Sequence, residues 1–251
     1  MTKRQNEILQ VLNEQKKMEV AVLAERMNVS QVTIRKDLDA LEQAGLVTRE
    51  HGFARIGSQD DINNRLAVRY EVKDRIAHAA MELVEDGETV MIESGSTCAI
   101  LARLLAEQKK DVHIITNSAF IAGRIRDLPG GSVTLLGGIF QKESMVCVGP
   151  LVQKCAKEFF VDKVFMGTDG FISRRGFTCG DMMRAQAMRA LAESANKRII
   201  LTDSGKFTRQ GVAAQLSLEE VTAVITDTDI PKEALERLKE SGVEVILADA
   251  E

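Results

Sequence analysis

The chain has 251 residues, 45% of them hydrophobic, and a formal net charge of −4. That is enough apolar material for one large domain or a small and a medium one, and the acidic balance excludes binding to nucleic acid by bulk positive charge. The four cysteines show neither CxxC pairing nor histidines at ligand spacing, which excludes a zinc site and points to reduced thiols. With no signal peptide and no apolar run near the ~20 residues of a membrane span, the expectation is a soluble cytoplasmic protein with no membrane partner.

The first helix is expected over Arg4 to Glu14, which carries Ile8, Leu9, Val11 and Leu12. Val20, Leu23, Ala24 and Met27 recur at spacings of three and four and predict a short second helix. Asn28 suits the left-handed end of that helix, and Ser30 suits the N-cap of the next, so the two form a helix-turn-helix. In the third helix Ile34, Leu38 and Leu41 make one apolar stripe, while Val32, Lys36, Asp39 and Gln43 lie opposite. Gly45 is expected to stop it. Leu46 to Arg49 and Phe53 to Ile56 read as two strands around Glu50-His51-Gly52, a hairpin or wing.

Hydrogen-bond donors crowd the amino end of the third helix, where the free N–H groups and the positive pole also lie. A helix of this kind backed by a second one fits the DNA major groove. Gln31 and Arg35 can reach base edges, Ser30, Thr33 and Lys36 suit phosphates, and Val32 suits a thymine methyl. Arg49 and His51 on the wing can reach the backbone or the minor groove. Residues 1–57 balance at about +1 and the rest at −5, so any DNA contact relies on local placement of charge. The competing reading is a helical bundle for protein contact.

Gly57 to Asn64 is polar and aperiodic, a linker, and Val68 to Leu83 reads as a helix. Seven β-branched or aliphatic runs follow: Thr89–Ile92, His113–Thr116, Val133–Leu136, Lys163–Met166, Arg198–Thr202, Ala223–Thr226 and Val243–Leu247. Helical patterns lie between most of them, as at Ala99–Gln108, Ala119–Asp127, Asp181–Ala195 and Lys232–Ser241. This alternation predicts a mainly parallel α/β sheet, with antiparallel additions from residues 137–150. The domains expected are 1–57, the helix-turn-helix and wing, 58–74 as linker and start of a connecting helix, and 75–251 as the larger sheet domain, to which the family resemblance given below assigns effector binding and oligomerisation.

Ligands in such folds bind beyond the carboxyl ends of the strands. There the chain places Ser94-Gly95-Ser96-Thr97 before a helix, which reads as a phosphate cradle or as an ordinary strand-to-helix turn. Thr116-Asn117-Ser118, Gly137-Gly138, Gly167 to Gly170 and Asp203 to Lys206 fall at other strand ends. Lys206 offers a counter-charge for phosphate and Asp169 an acceptor for sugar hydroxyls. Neither a Walker loop nor a dinucleotide fingerprint is present, and no cofactor is expected.

The chain resembles the DeoR family of bacterial transcriptional regulators. Arg4, Ile8 and Leu12 match the family's opening pattern, and Ser30, Thr33, Ile34, Arg35, Lys36, Asp37 and Leu38 match its reading-helix run. Glu93 to Thr97, Thr116-Asn117, Gly137-Gly138, Gly167 to Gly170, and Asp203, Lys206 and Phe207 match its later motifs. Two departures stand out: Glu93 replaces the commoner Asp, and the wing has His51-Gly52-Phe53 in place of a glycine pair. The resemblance implies a winged helix-turn-helix joined to a sheet domain like ribose-5-phosphate isomerase. It also implies an effector site at Ser94, Gly95, Ser96, Thr97, Asn117, Ser118, Gly138, Asp169 and Lys206.

The leading expectation is a regulator, most simply a repressor, of a carbohydrate-utilisation operon. Its partners would be double-stranded operator DNA, a phosphorylated sugar effector and further copies of itself, as a dimer or tetramer. One rival is a sugar-phosphate isomerase with a DNA-binding appendage, using Asp181 as its base. Another is a degenerate pocket in a domain that serves assembly alone.

Overall fold

Thr2 and Gln5 cap the first helix reciprocally: Gln5 N–H donates to Thr2 Oγ1 at 3.2 Å, and Thr2 N–H to Gln5 Oε1 at 2.9 Å. The structure, a computed structural model, describes residues 2–43, 46–56 and 60–248. It divides into two units, Met1–Tyr70 and Glu71–Glu251. The Gly45 stop and residues 57–59, where the linker was expected to begin, lie outside the described residues.

The first unit runs α1 (Lys3–Gln15), β1 (Lys17–Glu19), α2 (Val20–Arg26), α3 (Gln31–Gln43), β2 (Val47–Glu50), β3 (Phe53–Ile56) and α4 (Ile62–Ala67). The expected apolar stripes are its core: Ile8, Leu9 and Leu12 of α1, Leu23 of α2, and Ile34, Leu38 and Leu41 of α3 are all fully buried. Burying each such side chain contributes about 1.5–3 kcal/mol. Asn28 ends the α2 region with a φ of +52°, and Ser30 Oγ accepts from Thr33 N–H at 3.2 Å as the cap of α3.

The wing is a three-stranded sheet in the order β1-β3-β2. Its hairpin turns through His51 and Gly52, both with positive φ, as a two-residue type I′ turn requires. Strand β1 was not expected: Lys17, Met18 and Glu19 carry no strand pattern, and pairing with Arg55, Ala54 and Phe53 alone makes them one. The described part of the polar stretch expected as linker runs into a helix that was not expected there. Asp61 caps α4 by accepting from Asn63 N–H at 2.8 Å, and Ala67 joins the core of the unit.

The second unit opens within α5 (Tyr70–Met81), whose first residue closes the first unit. It continues as β4 (Thr89–Ile92), α6 (Ser96–Gln108), β5 (Val112–Thr116), α7 (Ala119–Ile125), β6 (Gly131–Leu135), β7 (Ile139–Gln141), β8 (Val146–Val148), α8 (Pro150–Ala156) and β9 (Val161–Met166). Then come β10 (Gly170–Ile172), β11 (Gly176–Cys179), α9 (Met182–Glu193), β12 (Ala195–Leu201), β13 (Ala213–Leu216), β14 (Ala223–Asp227), α10 (Lys232–Glu240) and β15 (Glu244–Ala248). The seven runs read as strands form one sheet, ordered β15-β14-β12-β9-β4-β5-β6, with every neighbouring pair parallel.

The strand order matters for function. From β4 the chain winds outward through β5 to β6, then returns beside β4 as β9 and winds the other way. In sheets of this kind, right-handed crossovers on the two sides of such a reversal put their helices on opposite faces and leave a crevice at the strands' carboxyl ends, which here is the region between β4 and β9. Two smaller antiparallel pieces complete the unit: the hairpin β7-β8, in the region expected to add such strands, and the sheet β10-β11-β13, which was not expected.

Candidate functional site

In the first unit, α3 presents Gln31, Val32, Arg35 and Lys36 to solvent, and Val32 is 64% exposed despite its apolar side chain. Ser30 and Thr33 hydroxyls meet each other at 2.9 Å while Ser30 caps the helix, so these two residues shape the helix end as well as lining it. Asp37 faces inward and is 6% exposed; Arg4 Nε donates to its Oδ2 at 2.5 Å. This bridge explains why an arginine in α1 and an aspartate in α3 occur together, which apolar periodicity alone did not reveal.

On the wing, His51 lies exposed at the hairpin tip. Arg49 is held against α3. Its guanidinium pairs with Asp39 and, through Nε, with Glu42 Oε2 at 3.1 Å, while its main-chain N–H donates to Glu42 Oε1 at 2.9 Å. The main-chain bond, then the guanidinium, hold the Glu42 carboxyl below its ordinary range. Arg49 therefore fixes the wing to the helix, with its charge shared between two carboxylates.

In the second unit, the five strand ends singled out from sequence sit on consecutive strands, in the order β12, β9, β4, β5, β6. At the reversal, the chain leaves β4 through Glu93 and Ser94 into Gly95, which starts α6 with no side chain capping it. The first intrahelical bond is Ala99 N–H to Gly95 O at 2.9 Å, so the N–H groups of Ser96 and Thr97 lie ahead of it. Gly95 touches Gly167 at the end of β9: a Cβ on Gly95 would stand 3.2 Å from Gly167 Cα and 3.3 Å from Glu93 Oε2. Glu93 ties the two loops together. It is buried and accepts from Ser94 Oγ at 2.5 Å and from Gly167 N–H at 3.2 Å.

The remaining expected residues take distinct places. Asn117, after β5, is buried and donates through Nδ2 to Cys147 O at 3.0 Å. Ser118 is fully buried and its Oγ accepts from Ile121 N–H, so this hydroxyl caps α7. At Gly138 a Cβ would meet Val148 O at 2.5 Å, so the absent side chain allows the hairpin to close. Asp169 Oδ2 accepts from Gly180 N–H at 2.8 Å and from the Cys179 thiol at 3.4 Å. Lys206 ends the short 3₁₀ turn Ser204–Lys206 and is half-buried; Ser204 beside it donates from N–H and Oγ to the Asp227 carboxylate, each at 2.6 Å.

Burial first, and then the charge of Asp169, push the Cys179 thiol up to about 12; Arg184 lowers it and Glu93 raises it more weakly. Asp169, Cys179, Arg184 and Glu93 thus share one electrostatic neighbourhood, and the buried Arg184 is a cation near the crevice that sequence reasoning missed. Asp181, the residue weighed as an isomerase base, is the N-cap of α9, accepting from Arg184 N–H at 2.8 Å. Among the described residues no cluster of histidine, cysteine or carboxylate groups could hold a metal, and no helix is long and apolar enough to cross a membrane.

Residues 4–60 match the DeoR-like helix-turn-helix domain, and residues 68–228 match the DeoR C terminal sensor domain. The chain is 31% identical to the "Putative aga operon transcriptional repressor" of Escherichia coli O157:H7, over 98% of this chain and 93% of that protein. It is 26% identical to the "Glycerol-3-phosphate regulon repressor" of Escherichia coli K12, over 98% of each. Among solved structures, ribose 5-phosphate isomerase A from Methanocaldococcus jannaschii aligns with a TM-score of 0.40 at 22% identity, covering 55% of each chain.

Proposed function

Because the chain belongs to the DeoR family of DNA-binding transcriptional regulators, we propose that it represses a carbohydrate-utilisation operon and is released by a phosphorylated sugar or sugar alcohol. The names of its relatives, repressors of an aga operon and of a glycerol-3-phosphate regulon, point the same way. Those relatives are named as regulators, not enzymes, and Asp181 has a sufficient structural role as a helix cap.

In this reading α3 enters the major groove. Gln31 and Arg35 read base edges, Val32 meets a thymine methyl, and Ser30, Thr33 and Lys36 contact phosphates. His51 reaches the backbone or minor groove from the wing tip, where Arg49 keeps the hairpin in place. One such module buries too little surface for tight specific binding, so two or more copies must bind together.

The observation that carries the effector half of the proposal is the uncapped start of α6 at the sheet's reversal point. A helix amino end with unengaged N–H groups attracts an anion, and the ends of α/β strands at a reversal form a crevice for it. Ser94, Gly95, Ser96 and Thr97 would cradle the phosphate with Lys206 as counter-charge. Asn117, Ser118, Gly138 and Asp169 would bound the sugar. Release from DNA then follows if the ligand binds the DNA-competent arrangement less tightly than the alternative. A shift from 1:99 to 99:1 needs a preference of about 10⁴.

Footprinting on DNA upstream of the neighbouring genes, with and without a panel of sugar phosphates, tests both halves. The expected result is a protected region of two or more half-sites, lost when one ester is added. Equal, weak, salt-sensitive binding to every duplex would overturn the DNA half; protection unmoved by any ester would overturn the effector half.

A further inference from the structure

Gln215 sits where the ladder between β11 and β13 slips. Phe177 pairs with Leu216 and Thr178 with Ala214, so Gln215 is the extra residue of a β-bulge. Bulges re-aim a side chain out of the ordinary alternation, and they recur beside binding sites. Here the re-aimed side chain is buried, and its Nε2 donates to Gly167 O at 2.8 Å. Gly167 is the residue that touches Gly95 at the start of α6. The other half of the amide, Oε1, is buried with no hydrogen-bond partner.

Asn117, on the far side of β4, repeats this arrangement. Its Nδ2 is spent on Cys147 O, and its Oδ1 is likewise buried without a partner. In strand order the two amides with orphaned acceptors therefore stand on either side of β4, from whose end α6 starts: Asn117 after β5, and Gln215 bonded to Gly167 after β9. A buried acceptor left unmatched carries its desolvation cost uncompensated, and such groups call for an explanation in what they can meet. Both amides are anchored through their nitrogen on main-chain carbonyls, so neither can rotate to offer an N–H instead.

We propose that Gln215 Oε1 and Asn117 Oδ1 are a pair of acceptors for ligand hydroxyl groups. The site then takes a polyhydroxylated phosphate ester, with an O–H aimed at each amide, in preference to bare phosphate. This rests on the effector crevice proposed above and adds Gln215 to it as a specificity-determining residue. A site built to accept from a hydroxyl discriminates strongly against an analogue without one, because its own acceptor is then left unmatched.

The test is calorimetric titration and thermal shift of the full chain with inorganic phosphate and with sugar and polyol phosphates of three to six carbons. The wild type should bind at least one ester ten-fold or more tighter than inorganic phosphate. Gln215→Met and, independently, Asn117→Leu should each remove most of that preference while binding inorganic phosphate as the wild type does. A merely structural role would weaken phosphate and ester together and would overturn the proposal, as would an unchanged ester preference in both variants. In either case the crevice itself stands. A wild type that binds neither phosphate nor any ester overturns the crevice and the acceptor pair together.

Discussion

Arg4 in the first turn of α1 donates to the buried carboxylate of Asp37 in the middle of α3, at 2.5 Å. The bond sets the rotation of α3 from beneath, on the side opposite Val32, Lys36 and the other solvent-facing residues. Arg4→Ala leaves Asp37 buried without its cation, which is worse than removing both. Calorimetry should show a lower unfolding temperature for Arg4→Ala than for the Arg4→Ala/Asp37→Asn double variant. Equal unfolding temperatures in the two variants would deny the bridge its role.

Arg35 and Lys36 are adjacent and both exposed, yet they should fail differently. A base-edge contact by arginine is worth about 1–3 kcal/mol of discrimination, whereas a phosphate contact carries no sequence information. Anisotropy titrations should show Arg35→Ala losing about 10- to 100-fold of operator preference with non-operator affinity little changed. Lys36→Ala should weaken operator and non-operator DNA alike and make binding less salt-dependent. Identical behaviour of the two variants would remove the assignment of α3 as the reading helix.

The cap of α3 gives a smaller effect, read in stability. Ser30→Ala removes the acceptor for Thr33 N–H and should cost about 1 kcal/mol of stability, against about 2–5 kcal/mol for Leu38→Ala in the core below. Urea denaturation with an unchanged m-value checks both. A Ser30→Ala loss as large as that of Leu38→Ala would mean that the hydroxyl does more than cap.

What could be read from sequence follows from how each element earns its pattern. The five inner strands of the large sheet are largely buried at their carboxyl ends, so each appears as a β-branched or aliphatic run, and the residues after each run fall at the edge where sheets of this kind take their ligands. Helices α1, α2 and α3 declared themselves by apolar spacing. Strands β1, β10, β11 and β13 did not, because three or four residues such as Lys17-Met18-Glu19 become strands only through distant partners. For the same reason Gln215 was illegible: its meaning comes from a register slip against β11 and a bond to Gly167, neither of which leaves a local trace. Arg184 was missed because a buried cation on an alanine-rich helix looks like a solvated one.

Cys179 bears on alkaline stability. Its thiol is pushed up to about 12 in the folded chain, so the folded state favours the protonated form. The stabilisation from this group is fully present below its ordinary value of 9.0 and declines as pH rises from there towards 12. Cys179→Ser should flatten that part of the stability profile measured by denaturation. At pH 8 the thiolate is scarce at Cys179, and half-buried Cys155 should react first with iodoacetamide. Mass spectrometry showing Cys179 labelled ahead of Cys155 would contradict its burial beside Asp169.

Gly95 offers the sharpest separation of the two functional halves. An added Cβ would come 3.1 Å from Cys98 Sγ, 3.2 Å from Gly167 Cα and 3.3 Å from Glu93 Oε2, all of them residues of the second unit. The neighbours must yield by a few tenths of an ångström, and the loop that carries the amino end of α6 moves with them. On the proposed function, Gly95→Ala should therefore keep operator affinity within about two-fold while losing ten-fold or more in sensitivity to the sugar phosphate ester. Titrating the ester against a preformed complex with operator DNA measures both quantities at once. If Gly95→Ala releases DNA at the same ester concentration as the wild type, the phosphate does not sit at the start of α6, and the effector must be sought elsewhere on the sheet.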